Sequence, residues 1–182
     1  SCPVVAISGM AGVSKTATAI HLAHAVIDHF PDGQLYVEGA GRGSAELATR
    51  LLRGCGGNPD GREPVASFRS WSAGRKMLLV LDDVDADQAD MVLPGGDGCG
   101  VIVTSRSARV PPGVHPMRLS PMDSDEGVAL LARQVPGDRI HAEPTAAKAI
   151  VDVVGGLPLA LRHVAGWIAA TPTQRLDTFL AT

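Results

Sequence analysis

Cysteine is scarce in this chain of 182 residues, which has only three: Cys2, Cys55 and Cys99. They are far apart, odd in number and form no C-x-x-C pair, so the sequence does not describe a disulfide-stabilised module. The pattern predicts reduced thiols in a cytoplasmic protein. The chain starts with Ser rather than Met and enters its first predicted strand at once. We therefore expect a fragment of a longer protein, whose other domains are its partners.

Aromatic residues and lysines are also few. Aromatic residues make up 3% of the chain and apolar residues 45%, so we expect an aliphatic core. The net charge is −3 and no basic stripe stands out, which argues against direct nucleic-acid contact by this segment. No signal peptide is recognisable and no apolar run is long enough to span a bilayer, so we expect no membrane partner.

A glycine-rich segment near the N-terminus carries the strongest functional signal. Residues 9–16 follow the phosphate-binding pattern G-x-x-x-x-G-K-[ST] except at Ser14, which replaces the second glycine. Backbone N–H groups and the start of the next helix would bind phosphate, Lys15 would reach the β- and γ-phosphates, and Thr16 would offer its hydroxyl to Mg²⁺. The candidate nucleotide-binding residues here are Gly9, Met10, Ala11, Gly12, Val13, Ser14, Lys15, Thr16 and Ala17. We expect the Ser14 side chain to weaken binding rather than abolish it.

Short apolar runs alternate with helical patterns over the first two thirds of the chain. This alternation predicts an α/β fold with a parallel sheet. Strands are expected at residues 4–7, 34–38, 77–81, 100–106 and 115–119. A helix is expected from Thr16 to Phe30, and another is expected to start with Ser44 as its cap. From Pro121 onward the pattern is helical only.

Acidic and basic side chains follow two of these strands. Asp82 and Asp83 end an apolar run, and an aspartate at that position can hold Mg²⁺ through its water shell. We assign Asp82, with Thr16, to Mg²⁺ and Asp83 to the attacking water. Arg106 ends the strand expected beside the phosphate-binding loop, where an arginine can distinguish ATP from ADP. Taken alone, Arg106 fits a surface arginine equally well.

Five segments together resemble the NB-ARC type of STAND (signal-transduction) ATPase. They are residues 9–16, 30–37, 78–83, 103–106 and 156–161. They occur in the family's order and cover nearly the whole chain. The segment Phe-Pro-Asp-Gly-Gln-Leu-Tyr-Val is most similar to the actinobacterial branch, in which the module follows a DNA-binding domain in antibiotic regulators.

The resemblance implies a P-loop NTPase sheet ordered 2-3-4-1-5 over residues 1–120 and a helical lid over residues 121–182. It implies an ATP/ADP switch with Mg²⁺ as cofactor, slow hydrolysis involving Lys15, Asp83 and Arg106, and a homo-oligomer in the ATP-bound form. It also places Leu157 and Pro158 at the nucleotide, with Pro158 against adenine. Two alternatives stay open: a non-enzymatic scaffold with a degenerate loop, which Ser14 favours, and a small P-loop kinase, for which no second substrate site is evident.

Overall fold

The computed structural model describes residues 2–58, 63–107, 109 and 112–180, and for residues 86 and 87 it describes the backbone only. Its centre is a parallel five-stranded sheet with the strand order β2-β3-β4-β1-β5. The strands are Val4–Ser8 (β1), Gln34–Glu38 (β2), Leu78–Asp82 (β3), Gly100–Ser105 (β4) and His115–Arg118 (β5). Both the parallel sheet and the order that the resemblance implied are confirmed.

Helices connect the strands of this sheet and then continue alone to the end of the described chain. They are Lys15–Ala25 (α1), Ser44–Gly54 (α2), Pro64–Ser72 (α3), Ala86–Met91 (α4), Ser124–Gln134 (α5), Arg139–Ala142 (α6), Pro144–Val153 (α7) and Pro158–Ala170 (α8). Short 3₁₀ turns cover Ile27–His29 and Leu176–Leu180. The first helix is therefore shorter than the predicted span, since its last part is a separate 3₁₀ turn.

Helix starts depend on individual caps. Asp123 accepts a hydrogen bond from the N–H of Glu126 and the Glu126 side chain bonds back, which is a complete capping box at the start of α5. Glu63 caps the start of α3, because its side chain accepts hydrogen bonds from the N–H groups of Val65 and Ala66. The expected cap at Ser44 is wrong: Gly43 occupies the cap position in extended backbone, and no side chain bonds to that helix start.

Aliphatic side chains fill both faces of the sheet. On one face α1 packs Ala19 and Ala23 against Ile7, Leu78 and Val80. The other face carries a larger cluster, which joins the strands to α2, α3 and α4. All residues of β3 and β4 are buried, as expected for central parallel strands covered on both sides. The result is a three-layer arrangement that brings the carboxyl ends of the strands to one edge.

The chain separates into two compact units. The first contains residues 1–9 and 15–119, and the second contains residues 10–14 and 120–182. Within the second unit α5, α7 and α8 surround a core that includes Leu131, Ile150 and Leu161. Five residues of the phosphate-binding loop thus group with the helical unit.

Among the described residues, no helix combines the length and apolar character that crossing a membrane requires.

Candidate nucleotide-binding site

The phosphate-binding loop occupies the position that its motif predicts. β1 ends at Ser8 and α1 begins at Lys15, so the loop connects the carboxyl end of an inner strand to the amino end of a helix. The Lys15 ammonium donates a hydrogen bond to the carbonyl oxygen of Gly9 at 2.9 Å. This contact holds the lysine against the start of its own loop.

Ser14 has a left-handed backbone conformation, with φ of +73°. Such a conformation suits glycine and is unfavourable for a residue that carries a Cβ atom. Gly12, at φ +83°, lies in the same region without that cost. The backbone at this position therefore favours the glycine that the motif specifies, and Ser14 adopts the same conformation at a cost.

The tip of the loop contacts the start of α8 within the second unit. The N–H of Leu159 donates to the carbonyl oxygen of Gly12 at 3.3 Å. A Cβ atom added at Gly12 would lie 3.9 Å from the Leu157 side chain, an ordinary contact distance. Pro158 is the first residue of α8 and is buried. Of the two predicted residues of this segment, Leu157 thus lies beside the loop tip, and Pro158 follows it in the chain.

Asp82 is the centre of a hydrogen-bonded cluster in the first unit. Its carboxylate is 7% exposed and accepts bonds from three hydroxyl groups. The Thr16 hydroxyl lies 2.9 Å from Oδ1 and 3.0 Å from Oδ2. The Tyr36 hydroxyl lies 2.7 Å from Oδ2, and the Thr104 hydroxyl 2.5 Å from Oδ1. The structure therefore joins Thr16 and Asp82, the two residues assigned to Mg²⁺.

Asp83 and Arg106 form an ion pair next to this cluster. The Arg106 guanidinium lies 3.0 Å from Asp83 Oδ2, and its side chain is 72% exposed. The backbone N–H of Asp83 donates to the Thr104 hydroxyl at 2.9 Å. β4, which carries Arg106 at its end, pairs with β1 as expected. The pair lines an open polar cavity of ≈ 360 Å³.

Two hydroxyl residues of the Asp82 cluster had no assigned role in the sequence reasoning. Thr104 could have been identified from the sequence, because it is a polar residue at the end of an apolar strand. Tyr36 had no such signal, because its link to Asp82 depends on the register between β2 and β3. Desolvation, followed by the hydrogen bond to Asp82, raises the pKa of Tyr36 to about 12.

The donor set fits magnesium better than a transition metal. Thr16 and Asp82 offer oxygen atoms only, and oxygen ligands are those that Mg²⁺ prefers. In the part of the chain that is described, no group of three or more His, Cys, Asp or Glu side chains is placed to hold a metal.

Comparisons with known proteins agree with this geometry. Residues 1–140 match the NB-ARC domain. The chain is 42% identical over 190 aligned residues to Regulatory protein AfsR of Streptomyces griseus, an alignment that covers 98% of this chain and 20% of that protein. The chain thus spans about a fifth of the length of this relative.

Two solved structures share the fold at low sequence identity. Cdc6p from Pyrobaculum aerophilum is 19% identical with a TM-score of 0.56, over 100% of this chain and 53% of that one. A signal transduction ATPase with numerous domains (STAND) from Pyrococcus horikoshii, which has a tetratricopeptide repeat sensor, is 22% identical with a TM-score of 0.52, over 88% of this chain and 27% of that one. Because the NB-ARC match covers residues 1–140, more than half of the sequence, the chain belongs to the NB-ARC family.

Proposed function

We propose that this chain is the nucleotide-binding switch module of a multidomain regulator. One observation carries the proposal: the hydrogen bond between Thr16 and Asp82, residues 66 positions apart in sequence. It joins the end of the phosphate-binding loop to the acidic end of β3. A degenerate loop kept only for structure has no need of this pairing.

The nucleotide would bind through its phosphates first. Backbone N–H groups of the loop and the start of α1 favour negative charge, and Lys15 adds a cation. In binding, Lys15 would exchange its bond with the Gly9 carbonyl for a phosphate oxygen. Magnesium would neutralise phosphate charge when bound, with Thr16 and Asp82 holding it.

Hydrolysis would be slow, because Asp83 is paired. A carboxylate that is bonded to a guanidinium is a weaker acceptor for the proton of a water molecule than an unpaired one. Arg106 has to leave Asp83 to reach a γ-phosphate, and this exchange would make Asp83 available to orient the water. ADP and ATP would therefore interact differently with the same pair, as a switch requires.

The switch would act within a larger protein. The relative named above is a regulatory protein about five times as long as this segment. ADP would favour a resting form, ATP an active form that assembles as a homo-oligomer, and the other domains would receive the signal. The proposed location is the cytoplasm.

The proposal is tested by calorimetric titration of the chain with ADP and with a non-hydrolysable ATP analogue, each with Mg²⁺ and with EDTA. We expect binding that Mg²⁺ strengthens. Lys15→Ala should lose most of the affinity, because a hydrogen bond between charged groups contributes about 1.5–3 kcal/mol.

A surface lysine provides the matched control: Lys148, which pairs with Asp125 in the second unit, can be changed to alanine without touching the loop. Equal binding by the Lys15 and Lys148 variants would contradict the assignment of Lys15. If neither nucleotide binds the unaltered chain, the scaffold alternative replaces the switch.

A further inference from the structure

The three hydroxyl groups around Asp82 are not equivalent. Thr16 lies at nearly equal distances from both carboxylate oxygens, 2.9 and 3.0 Å. Tyr36 bonds Oδ2 and Thr104 bonds Oδ1. Each oxygen therefore has one donor of its own, and both share the hydrogen of Thr16. Two outer donors fix the orientation of the carboxylate toward Thr16.

The two outer donors are held in different ways. Thr104 is buried on β4, and its hydroxyl also accepts the N–H of Asp83, so the backbone fixes it. Tyr36 lies on β2, an edge strand, and its side chain is 48% exposed. In the register of β2 with β3, Tyr36 is opposite Val80 and Glu38 is opposite Asp82. The tyrosine thus reaches two positions along the sheet to bond the carboxylate.

Packing alone does not explain why the Tyr36 side chain extends to Asp82. A tyrosine on a half-exposed edge strand can direct its hydroxyl to water at no cost. Here the hydroxyl instead donates to a carboxylate that is 7% exposed. A buried carboxylate needs donors, and a fixed one is ready to accept hydrogen bonds from a metal-bound water without reorganising.

We propose that Tyr36 is a positioning residue for the Mg²⁺ site, which fixes the Asp82 carboxylate in the orientation that the metal requires. This inference rests on the proposed function and adds a residue to the site. Thr16 and Asp82 would hold the metal, which would supply positive charge to the phosphates. Tyr36 and Thr104 would keep the Asp82 carboxylate from rotating.

Tyr36→Phe tests the proposal, since it removes the hydroxyl and keeps the ring. The quantity to measure is the ratio of ADP affinity in Mg²⁺ to ADP affinity in EDTA. We expect unchanged affinity in EDTA and a ratio reduced on the order of tenfold, the lower end of the effect of losing an outer partner of a metal ligand. A merely structural role of Tyr36 would weaken both affinities or neither.

Two further variants calibrate this ratio. Thr104→Val removes the other outer donor and should also lower it. Thr49→Ala removes a hydroxyl that donates to the Ala45 carbonyl within α2, on a different element from the Asp82 cluster, and it should leave the ratio unchanged. Thermal unfolding of each variant checks that the fold is retained.

A second readout needs no nucleotide. Tyr36 is the single tyrosine of the chain, so ¹³Cζ-labelled tyrosine gives one NMR signal that reports this hydroxyl. We expect Asp82→Asn to shift the signal, because the acceptor loses its charge. A signal at the same position in both proteins would show that the bond is not formed and would overturn the proposal.

The remaining outcomes separate the two proposals. If the unaltered chain binds Mg-ADP and Tyr36→Phe has the same ratio, the role of Tyr36 is wrong and the switch function stands. A higher ratio in Tyr36→Phe would mean that the hydroxyl competes with the metal, which also overturns positioning. If the unaltered chain shows no Mg²⁺-dependent binding, the proposed function fails, and the role of Tyr36 fails with it.

Discussion

Ser14 replaces a glycine of the phosphate-binding pattern and has a strained backbone, with φ of +73°. Glycine removes that strain, which costs about 1–2 kcal/mol for a residue with a Cβ atom. Ser14→Gly should therefore raise the unfolding temperature and also tighten ADP and ATP binding, since the phosphates can approach the backbone more closely. Thermal unfolding and calorimetric titration measure the two effects separately.

Ser14→Ala is the control for this change. It removes the hydroxyl but keeps the Cβ atom, so neither stability nor affinity should rise as in the glycine variant. A glycine variant with equal or weaker nucleotide affinity would show that crowding by the side chain does not limit binding.

Arg106 should distinguish the two nucleotides. Its present bond with Asp83 is solvent-exposed, and pairs of that kind contribute about 0–1 kcal/mol, so a γ-phosphate can displace it easily. Arg106→Ala should weaken binding of an ATP analogue more than binding of ADP, by about 1.5–3 kcal/mol, the strength of a charged hydrogen bond. The two affinities are measured for each variant at one Mg²⁺ concentration.

Pro158 provides the contrast, because a residue that contacts adenine, as the resemblance implies for Pro158, would serve both nucleotides. A bulky polar residue there should weaken ATP and ADP binding by similar amounts. Equal losses for the two nucleotides in Arg106→Ala would remove Arg106 from the γ-phosphate and leave the switch without its proposed sensor.

Cys2 should be poorly reactive in the folded protein. Burial, with Cys99 nearby as a second cause, raises the pKa of the Cys2 thiol from 9.0 to about 11. Because the thiolate is the reactive form, alkylation near pH 8 should be much slower in the native chain than in denaturant, as peptide mass spectrometry can measure. The folded thiol keeps its proton to a higher pH than the unfolded one, so its contribution to stability is lost as pH rises from 9 to about 11. Rapid labelling of native Cys2 would contradict its burial.

At the scale of elements, the spacing of apolar residues and the positions of turn residues predicted most of the strands and helices. β2 begins and ends where the sequence indicated, and the described residues after Pro121 form helices as expected. The short helix α6 had no sequence signal, because four residues are too few to show a helical period. The predicted cap of α2 was wrong by one residue, because Gly43 and not Ser44 precedes the helix, a shift that composition does not reveal.

The candidate site was predictable only where it follows a motif. Thr16, Asp82 and Arg106 were found because loop and strand-end patterns carry those residue types at fixed positions. The pairing of Arg106 with Asp83 and the reach of Tyr36 depend on strand register and on side-chain length. These are tertiary properties, which spacing within one segment does not encode.

At the scale of the whole molecule, the phosphate-binding loop belongs to both compact units. Gly9 and Lys15 group with the sheet, and residues 10–14 group with the helices. A ligand that binds the native state but not the unfolded state stabilises the unit that contains its binding site. Nucleotide contacts at Lys15 and Thr16 are thus expected to stabilise the first unit, and contacts at residues 10–14 to stabilise the second, as the proposed switch requires.

Hydrogen exchange measured by mass spectrometry tests that expectation. Saturating Mg-ADP should slow exchange in peptides from β3 and β4 of the first unit and in peptides from α7 and α8 of the second, because opening of either unit then has to release the nucleotide. Lys15→Ala, under the same conditions, should abolish the added protection in both sets. Protection that is confined to the sheet would mean that the loop binds phosphate without the helical unit. The nucleotide would then leave the stability of the helical unit unchanged, contrary to the expectation.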